Sequence, residues 1–311
     1  MPIEITEGEP DGLVGRIRKL SMPMEPLATG VEPHLPRLGE IRAVLFDIYG
    51  TLFISGSGDV GTHAATDSTA ALAEAMHAVG LSSSDELAER GIELLHLTIT
   101  ESHEQRQAEG VERPEVDIRE IWRRVFDRLA DEGMLAPDAE VVRRKIEPLA
   151  VEYECRVNPV WPMPHLADVL DELQQWVALG DLMLGIVSNA QFITPLLFDA
   201  LLRRSPEAFG FDPALCNWSY QLLEAKPSTQ LYEPIAQTLR THSIQPSQVL
   251  YVGNDRRNDI WPASQVGFRT ALFAGDKRSL RMRDNDAALV GVKPDAIITE
   301  LPQLLSLLRG A

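Results

Sequence analysis

The run IRAVLFD, residues 41–47, constrains the fold more than any other feature. It is short, apolar and partly β-branched, and it ends directly on a carboxylate. A run without polar alternation belongs to a strand buried on both faces, inside a parallel sheet. Comparable runs recur at LMLGIVS (182–188), QVLYVG (248–253) and RTALFA (269–274), and DAIIT (295–299) reads as a last edge strand. Amphipathic helical segments stand between and after them. HLADVLDELQQWVALG closes on Gly180, a residue suited to a helix C-cap, and LPQLLSLL follows the last strand. Strands separated by helices need right-handed crossovers, and the result is an α/β fold with a doubly wound parallel sheet. Such sheets bind ligands at the carboxyl ends of their strands.

The remaining chain divides around that pattern. Residues 57–164 carry four amphipathic helical stretches and little strand signal. In VDIREIWRRVFDRLADEG, Ile118, Ile121, Trp122, Val125, Phe126 and Leu129 fall on one face. A fourth stretch follows Pro137, and WPMP (161–164) breaks the pattern. We read this block as a helical domain inserted into an α/β core made of residues 39–56 and 165–311. Residues 1–38 contain Pro2, Pro10, Pro23, Pro26, Pro33 and Pro36, which disfavour long elements. They read as a surface-wrapping or disordered extension, with a targeting or partner-binding arm as the alternative.

Charge and cysteine usage exclude several function classes. The net charge of −17 argues against non-specific nucleic-acid binding, which needs clustered Lys and Arg. No apolar run is long enough for a membrane span, and the acidic start MPIEITEGEP lacks a secretory pattern. Cys155 and Cys216, without CxxC spacing, exclude a disulfide framework and point to a reducing cytoplasm.

Four features sit at predicted strand ends. Asp47 closes the first strand and is followed by Tyr49, Gly50 and Thr51. Ser188 and Asn189 close the second, Lys226 precedes Pro227, and GNDRRND (253–259) follows the strand YVG. Taken singly, each has an ordinary reading: a strand-ending cap, a polar loop, a solvated lysine, a helix-capping turn. Together, in this order, they resemble the haloacid dehalogenase superfamily over roughly residues 41–300. The first motif resembles DxxGT, the second is the Ser-Asn pair, the third Lys-Pro with Tyr232 beyond it, and the fourth the acidic segment. The helical block is similar to that family's C1 cap.

The resemblance implies a hydrolase in which Asp47 forms a covalent aspartyl intermediate. It implies that Thr51, Ser188 and Asn189 bind the transferring group, that Lys226 holds anionic oxygens, and that Asp259 is the second acid of the fourth motif. For metal-dependent members it implies Mg²⁺ held by Asp47, the main-chain carbonyl of Tyr49 and the residue at Asn254. Two positions depart from the phosphatase pattern. Tyr49 stands where the DxD acid–base carboxylate belongs, and a phenol is a poor base at neutral pH. The resulting DxYGT is similar to the 2-haloacid dehalogenases, which expel halide without metal. In the fourth motif, Asn254 replaces the first acid when Gly253 sets the register, and Asp255 takes that place in the other register. The expected function is Mg²⁺-dependent hydrolysis of a small phosphorylated substrate. The alternatives are a 2-haloacid carbon–halogen hydrolase and a weakly active binding protein. The expected partner is a small anionic substrate, with no nucleic acid and no membrane. Arg90, Arg106, Arg113 and Arg119 are candidate anion contacts in the cap, and His63 and His103 candidate acid–base groups; for each, a solvated helix face is the plainer reading.

Overall fold

The computed structural model describes residues 12–57, 65–135 and 139–309, and the side chains of residues 65–67 and 139–141 lie outside the description. His63, Pro137 and most of the Gly/Ser-rich stretch at 55–62 also lie outside it.

The core is a six-stranded parallel sheet in the order β5-β4-β1-β6-β7-β8. The strands are β1 (Ala43–Phe46), β4 (Met183–Ser188), β5 (Phe211–Trp218), β6 (Val249–Gly253), β7 (Arg269–Phe273) and β8 (Ala296–Ile298). Strands β1 and β6 are buried at every position, as their unbroken apolar runs require. In register, Phe46 of β1 lies between Ile186 and Val252, so the residues that follow all three strands emerge at one edge. Helices α6 (Leu166–Leu179), α9 (Glu233–Thr241), α10 (Trp261–Gln265) and α11 (Pro302–Arg309) supply the crossovers and the closing layer, with α7 (Ile193–Leu197) and α8 (Ser219–Leu222) as short turns. Gly180 caps α6 in the left-handed conformation, φ 81°.

Two structures escape the apolar pattern. Strand β5 contains Pro213 and exposed residues, which an edge strand tolerates. Residues β2 (Phe53–Ser55) and β3 (Val160–Pro162) pair antiparallel, with Ile54 opposite Trp161. Each is too short to carry periodicity.

This ribbon joins both ends of the helical insertion: α2 (Ala65–Ala78), α3 (Asp85–Ala108), α4 (Ile118–Asp131) and α5 (Ala139–Val157). The apolar face read on α4 is its buried face. Trp122 is fully buried and meets Tyr153 of α5 edge-on at 5.2 Å. Ser84 and Asp117 cap α3 and α4 by accepting backbone N–H groups.

The N-terminal extension, expected to hold no long element, carries one short helix. Leu13–Leu20 forms a helix, α1, with Ile17 fully buried in the core. Arg16 pairs with Glu152 at 2.6 Å, and Arg18 donates to the carbonyls of Asp199 and Ala200. Beyond α1 the chain runs extended along the sheet, and His34 bridges Ile297 of β8. Eight residues are too few for a clear period between prolines; tertiary contacts stabilise this helix. Among the described residues, no helix is long and apolar enough to cross a membrane.

Candidate active site

Strand β1 continues its ladder through Asp47, whose N–H donates to Val252 O at 2.9 Å. The chain then doubles back, and Ile48 O accepts from the N–H groups of Thr51, Leu52 and Phe53. Gly50 makes this turn at φ 78°. A Cβ there would stand 2.3 Å from Ser279 Cβ, so both conformation and space demand glycine.

The turn aims Asp47 into a small cleft of about 60 Å³. Lys226 Nζ donates to Asp47 Oδ1 at 2.7 Å and to Asp259 Oδ1 at 2.6 Å. Ser188 Oγ donates to the same Asp47 oxygen at 2.9 Å. Asp47 Oδ2 takes part in no hydrogen bond among the described residues. Asn189 Oδ1 accepts the Lys226 backbone N–H at 2.8 Å, which ties the second motif to the third. Asp259 Oδ2 accepts from Asp255 N at 2.8 Å, and a Cβ on Gly253 would lie 2.4 Å from Asp259 Cγ. Lys226 is 6% exposed and Asp259 1%, so these charges interact in a poorly solvated medium.

Burial works against the Lys226 ammonium, but the carboxylates of Asp259 and Asp47 outweigh it and raise its pKa above the ordinary value. Burial raises Asp259 to about 7, against the opposing pull of Lys226. Tyr49 is raised by burial and by the charge of Glu154, and its hydroxyl is 3.0 Å from Thr194 Oγ1. It remains a neutral phenol.

The fourth motif divides its duties. Asn254 Oδ1 accepts from Thr51 Oγ1 at 3.0 Å, and Asn254 Nδ2 donates to Ser279 O at 2.6 Å. Asp255 is held by both arms of Arg283, at 2.6 and 2.9 Å, and accepts the backbone N–H groups of Arg257 and Asn258. Asn254 is therefore the residue joined to the first motif, and Asp255 a cap neutralised by arginine. Of the oxygens expected to hold a metal, at Asp47, Tyr49 and Asn254, only those of Asp47 carry charge. Among the described residues, no group of three or more His, Cys, Asp or Glu side chains is arranged to hold a metal ion.

Asp47, Thr51, Ser188, Asn189, Lys226, Asn254 and Asp259 thus converge. The cap arginines do not join them. Arg90 pairs with Glu132, Arg106 with Glu109 and Arg119 with Asp117, and Arg113 is exposed. Sequence reasoning missed Tyr251, whose hydroxyl donates to Val187 O and lies 3.4 Å from Lys226 Nζ. It also missed Ser279 and Arg283, which no motif marks because they lie on an irregular loop beyond β7.

A family model for haloacid dehalogenase-like hydrolases matches residues 41–267. The chain belongs to the haloacid dehalogenase-like hydrolases. Its six-stranded parallel core and inserted helical block are the fold of that family. No curated protein matches the chain. Among solved structures, it is similar to a 2-haloacid dehalogenase from Pseudomonas syringae pv. Tomato DC3000. That similarity is 23% identity over 86% of this chain and 98% of the other, at a TM-score of 0.53. The magnesium-bound HAD-hydrolase YfnB from Bacillus subtilis gives 17% identity over 86% and 99%, TM-score 0.45. A predicted phosphoglycolate phosphatase from Haemophilus somnus gives 18% identity over 86% and 97%, TM-score 0.43. The likeness to the Pseudomonas structure is one of fold.

Proposed function

We propose that this hydrolase acts through Asp47 as a nucleophile and displaces halide from carbon in a short organohalide, without a metal. The observation that carries this reading is the division of labour on the Asp47 carboxylate. Lys226 and Ser188 hold Oδ1, which leaves Oδ2 with its lone pairs unengaged and its direction set. In this reading residues 57–164 are a cap over a core of residues 39–56 and 165–311.

In the first step Oδ2 attacks carbon, the carbon–halogen bond breaks, and halide leaves with the bonding electrons. An aspartyl ester remains. In the second step water adds to its carbonyl carbon, Asp259 takes a proton from that water, and the ester C–O bond breaks. One proton ends on the product alcohol, and the other is released when the Asp47 carboxyl ionises again. Lys226 stabilises the carboxylate before attack and after release.

Tyr49 supports a leaving group that needs no proton, since a neutral phenol bonded to Thr194 is a poor general acid. Members of the family commonly use Mg²⁺, but the donor set here does not suit it. Asn254 brings no charge and is hydrogen-bonded at both ends, and Asp255 is neutralised by Arg283. Hard dications favour several anionic oxygens. A phosphate dianion facing Asp47 needs such a cation, so the order of substrates expected from sequence is reversed here.

The test is a parallel screen of 2-haloacids, 2-haloamides and phosphate esters, each with Mg²⁺ and with chelator. Halide release undiminished by chelator is the expected result. Phosphate release that requires Mg²⁺, with no halide release, would replace this reading with a phosphatase.

A further inference from the structure

A second cavity, of about 440 Å³, lies between α3, α5 and the loop that follows β4. It shares Asn189 with the cleft at Asp47, so it borders the space where a substrate must react. Leu95 contributes to an apolar wall. The titratable lining is Glu115, Glu154, His96, His103 and Tyr153, and no Lys or Arg lines it among the described residues.

Among the described residues, the two carboxylates have no ion-pair partner. Glu115 accepts from Val116 N and from Ser219 Oγ, both at 2.9 Å, and neither donor carries charge. Among the described residues, Glu154 accepts only from the Asn158 amide, at 3.5 Å. Burial raises the pKa of both, which is the cost of a carboxylate without a cation. Burial also lowers His103, and its buried Nε2 has no hydrogen-bond partner among the described residues. Arg113, two residues before Glu115, is exposed, and three other arginines of this block are committed elsewhere. Arg119 pairs with Asp117 and Glu147 and lies over Phe192, while Arg124 and Arg128 pair with Glu101. The charge of Glu154 is felt as far as Tyr49, beside the nucleophile.

A substrate carboxylate entering this cavity meets two acids and no cation. An amide or ammonium group meets carboxylate acceptors whose hydrogen-bond donors are all uncharged. We propose that this cavity holds the unreacting part of the substrate and selects an uncharged or cationic hydrogen-bond donor over a carboxylate. The organohalide would then be a haloamide or haloamine rather than a haloacid. This substrate class rests on the Asp47 reading; the binding preference does not.

Two measurements separate them. The first compares kcat/KM for 2-chloropropionamide and 2-chloropropionate in the wild type, Glu154→Gln and Glu115→Gln. The protein's thiols do not compete for the haloamide, because burial pushes Cys155 and Cys216 up to about 12. The wild type should favour the amide by about tenfold or more, the scale of one poorly screened like-charge contact. Glu154→Gln should erase most of that ratio, chiefly through KM. The second measures binding of lactamide and lactate to Asp47→Asn by chemical-shift titration, with no turnover needed. Tighter binding of lactamide, weakened in an Asp47→Asn/Glu154→Gln double variant, supports the proposal even if no halide is ever released. Equal binding, or tighter binding of lactate, overturns it whatever the reaction proves to be.

Discussion

The strand-end cluster and the cap-side cavity are neighbours, yet their charges are arranged in opposite ways. At the strand ends almost every polar group has a partner of complementary sense. Asp47 has Lys226 and Ser188, Lys226 also has Asp259, Asp255 has Arg283, and Asn254 has Thr51 and Ser279. In the cavity, Glu115 and Glu154 have hydrogen bonds but no cation. A fully paired cluster is rigid and holds reacting atoms in place with little reorganisation. An incompletely paired one is completed by what binds. If, as proposed, the cluster sets the reaction and the cavity sets which substrate undergoes it, changes in the first should alter rates and changes in the second should alter ratios.

The most damaging break should be Asp47→Asn. The amide keeps the shape and can still accept from Lys226, but it is a feeble nucleophile. Turnover should fall by about four orders of magnitude or more, while the thermal unfolding midpoint changes little. A folded Asp47→Asn protein with wild-type turnover would end the covalent mechanism.

Removing the shared cation should come next. Lys226→Met leaves the Asp47 and Asp259 carboxylates close together in a buried site without their bridge. Two such groups cannot both ionise easily, so one should hold its proton to higher pH. The expected outcome is a loss of about a hundredfold to a thousandfold at neutral pH, partly recovered at alkaline pH. A pH profile that keeps its wild-type midpoint would show that Lys226 does not control these carboxylates.

Asp259 allows a sharper test, because its charge state changes near neutrality. Burial raises its pKa to about 7, against the pull of Lys226. Between its ordinary value and about 7, the folded state binds more proton than the unfolded state. This group's contribution to stability therefore falls as pH rises through that window. The second step as proposed needs the ionised form, so activity should rise through the same range. Asp259→Asn should slow the release of product about a hundredfold and let the aspartyl ester accumulate, detectable as added mass on the intact protein. A wild-type profile flat from pH 5 to 9 would remove Asp259 from the role of base.

Much of this was legible from the chain alone, and the division follows physics. Buried parallel strands have no polar face, so β1, β4 and β6 stand out as apolar runs, and the residues that end them are the ones that meet at Asp47. Lys226, expected at a strand end, follows β5 only after the turn α8, so its place in the site depended on the resemblance. Contacts that depend on irregular loops were silent: Ser279 on Asn254 and Arg283 on Asp255 link residues 25 and 28 positions apart. Helix α1 was hidden for a different reason. Its stability comes from Ile17 entering the core and Arg16 reaching Glu152, not from its own sequence. The cavity acids carry no sequence signal: Glu154 stands on α5, where periodicity does not distinguish a solvent face from a cleft face, and Glu115 lies on the loop between α3 and α4.

The smallest expected effect falls on Asn254, and it tests whether the strand-end cluster can be turned into a metal site. In the wild type the amide donates to Ser279 O at 2.6 Å and accepts from Thr51. Asn254→Asp keeps the second bond and loses the first, because a carboxylate cannot donate. It also sets an anionic oxygen against a carbonyl, in a cleft that already holds Asp47 and Asp259. The variant should be less stable in chelator by about 1–3 kcal/mol, the scale of a buried hydrogen bond lost, or a few degrees in unfolding midpoint. Millimolar Mg²⁺ should restore that loss, since the ion would replace the missing proton as a bridge and gain a second charged ligand. The wild type should show neither a stability change nor more than a twofold rate change between Mg²⁺ and chelator. Calorimetric scans of both proteins under both conditions decide it. A wild-type midpoint that rises with Mg²⁺ as much as the variant's would mean that Asn254 already serves a cation.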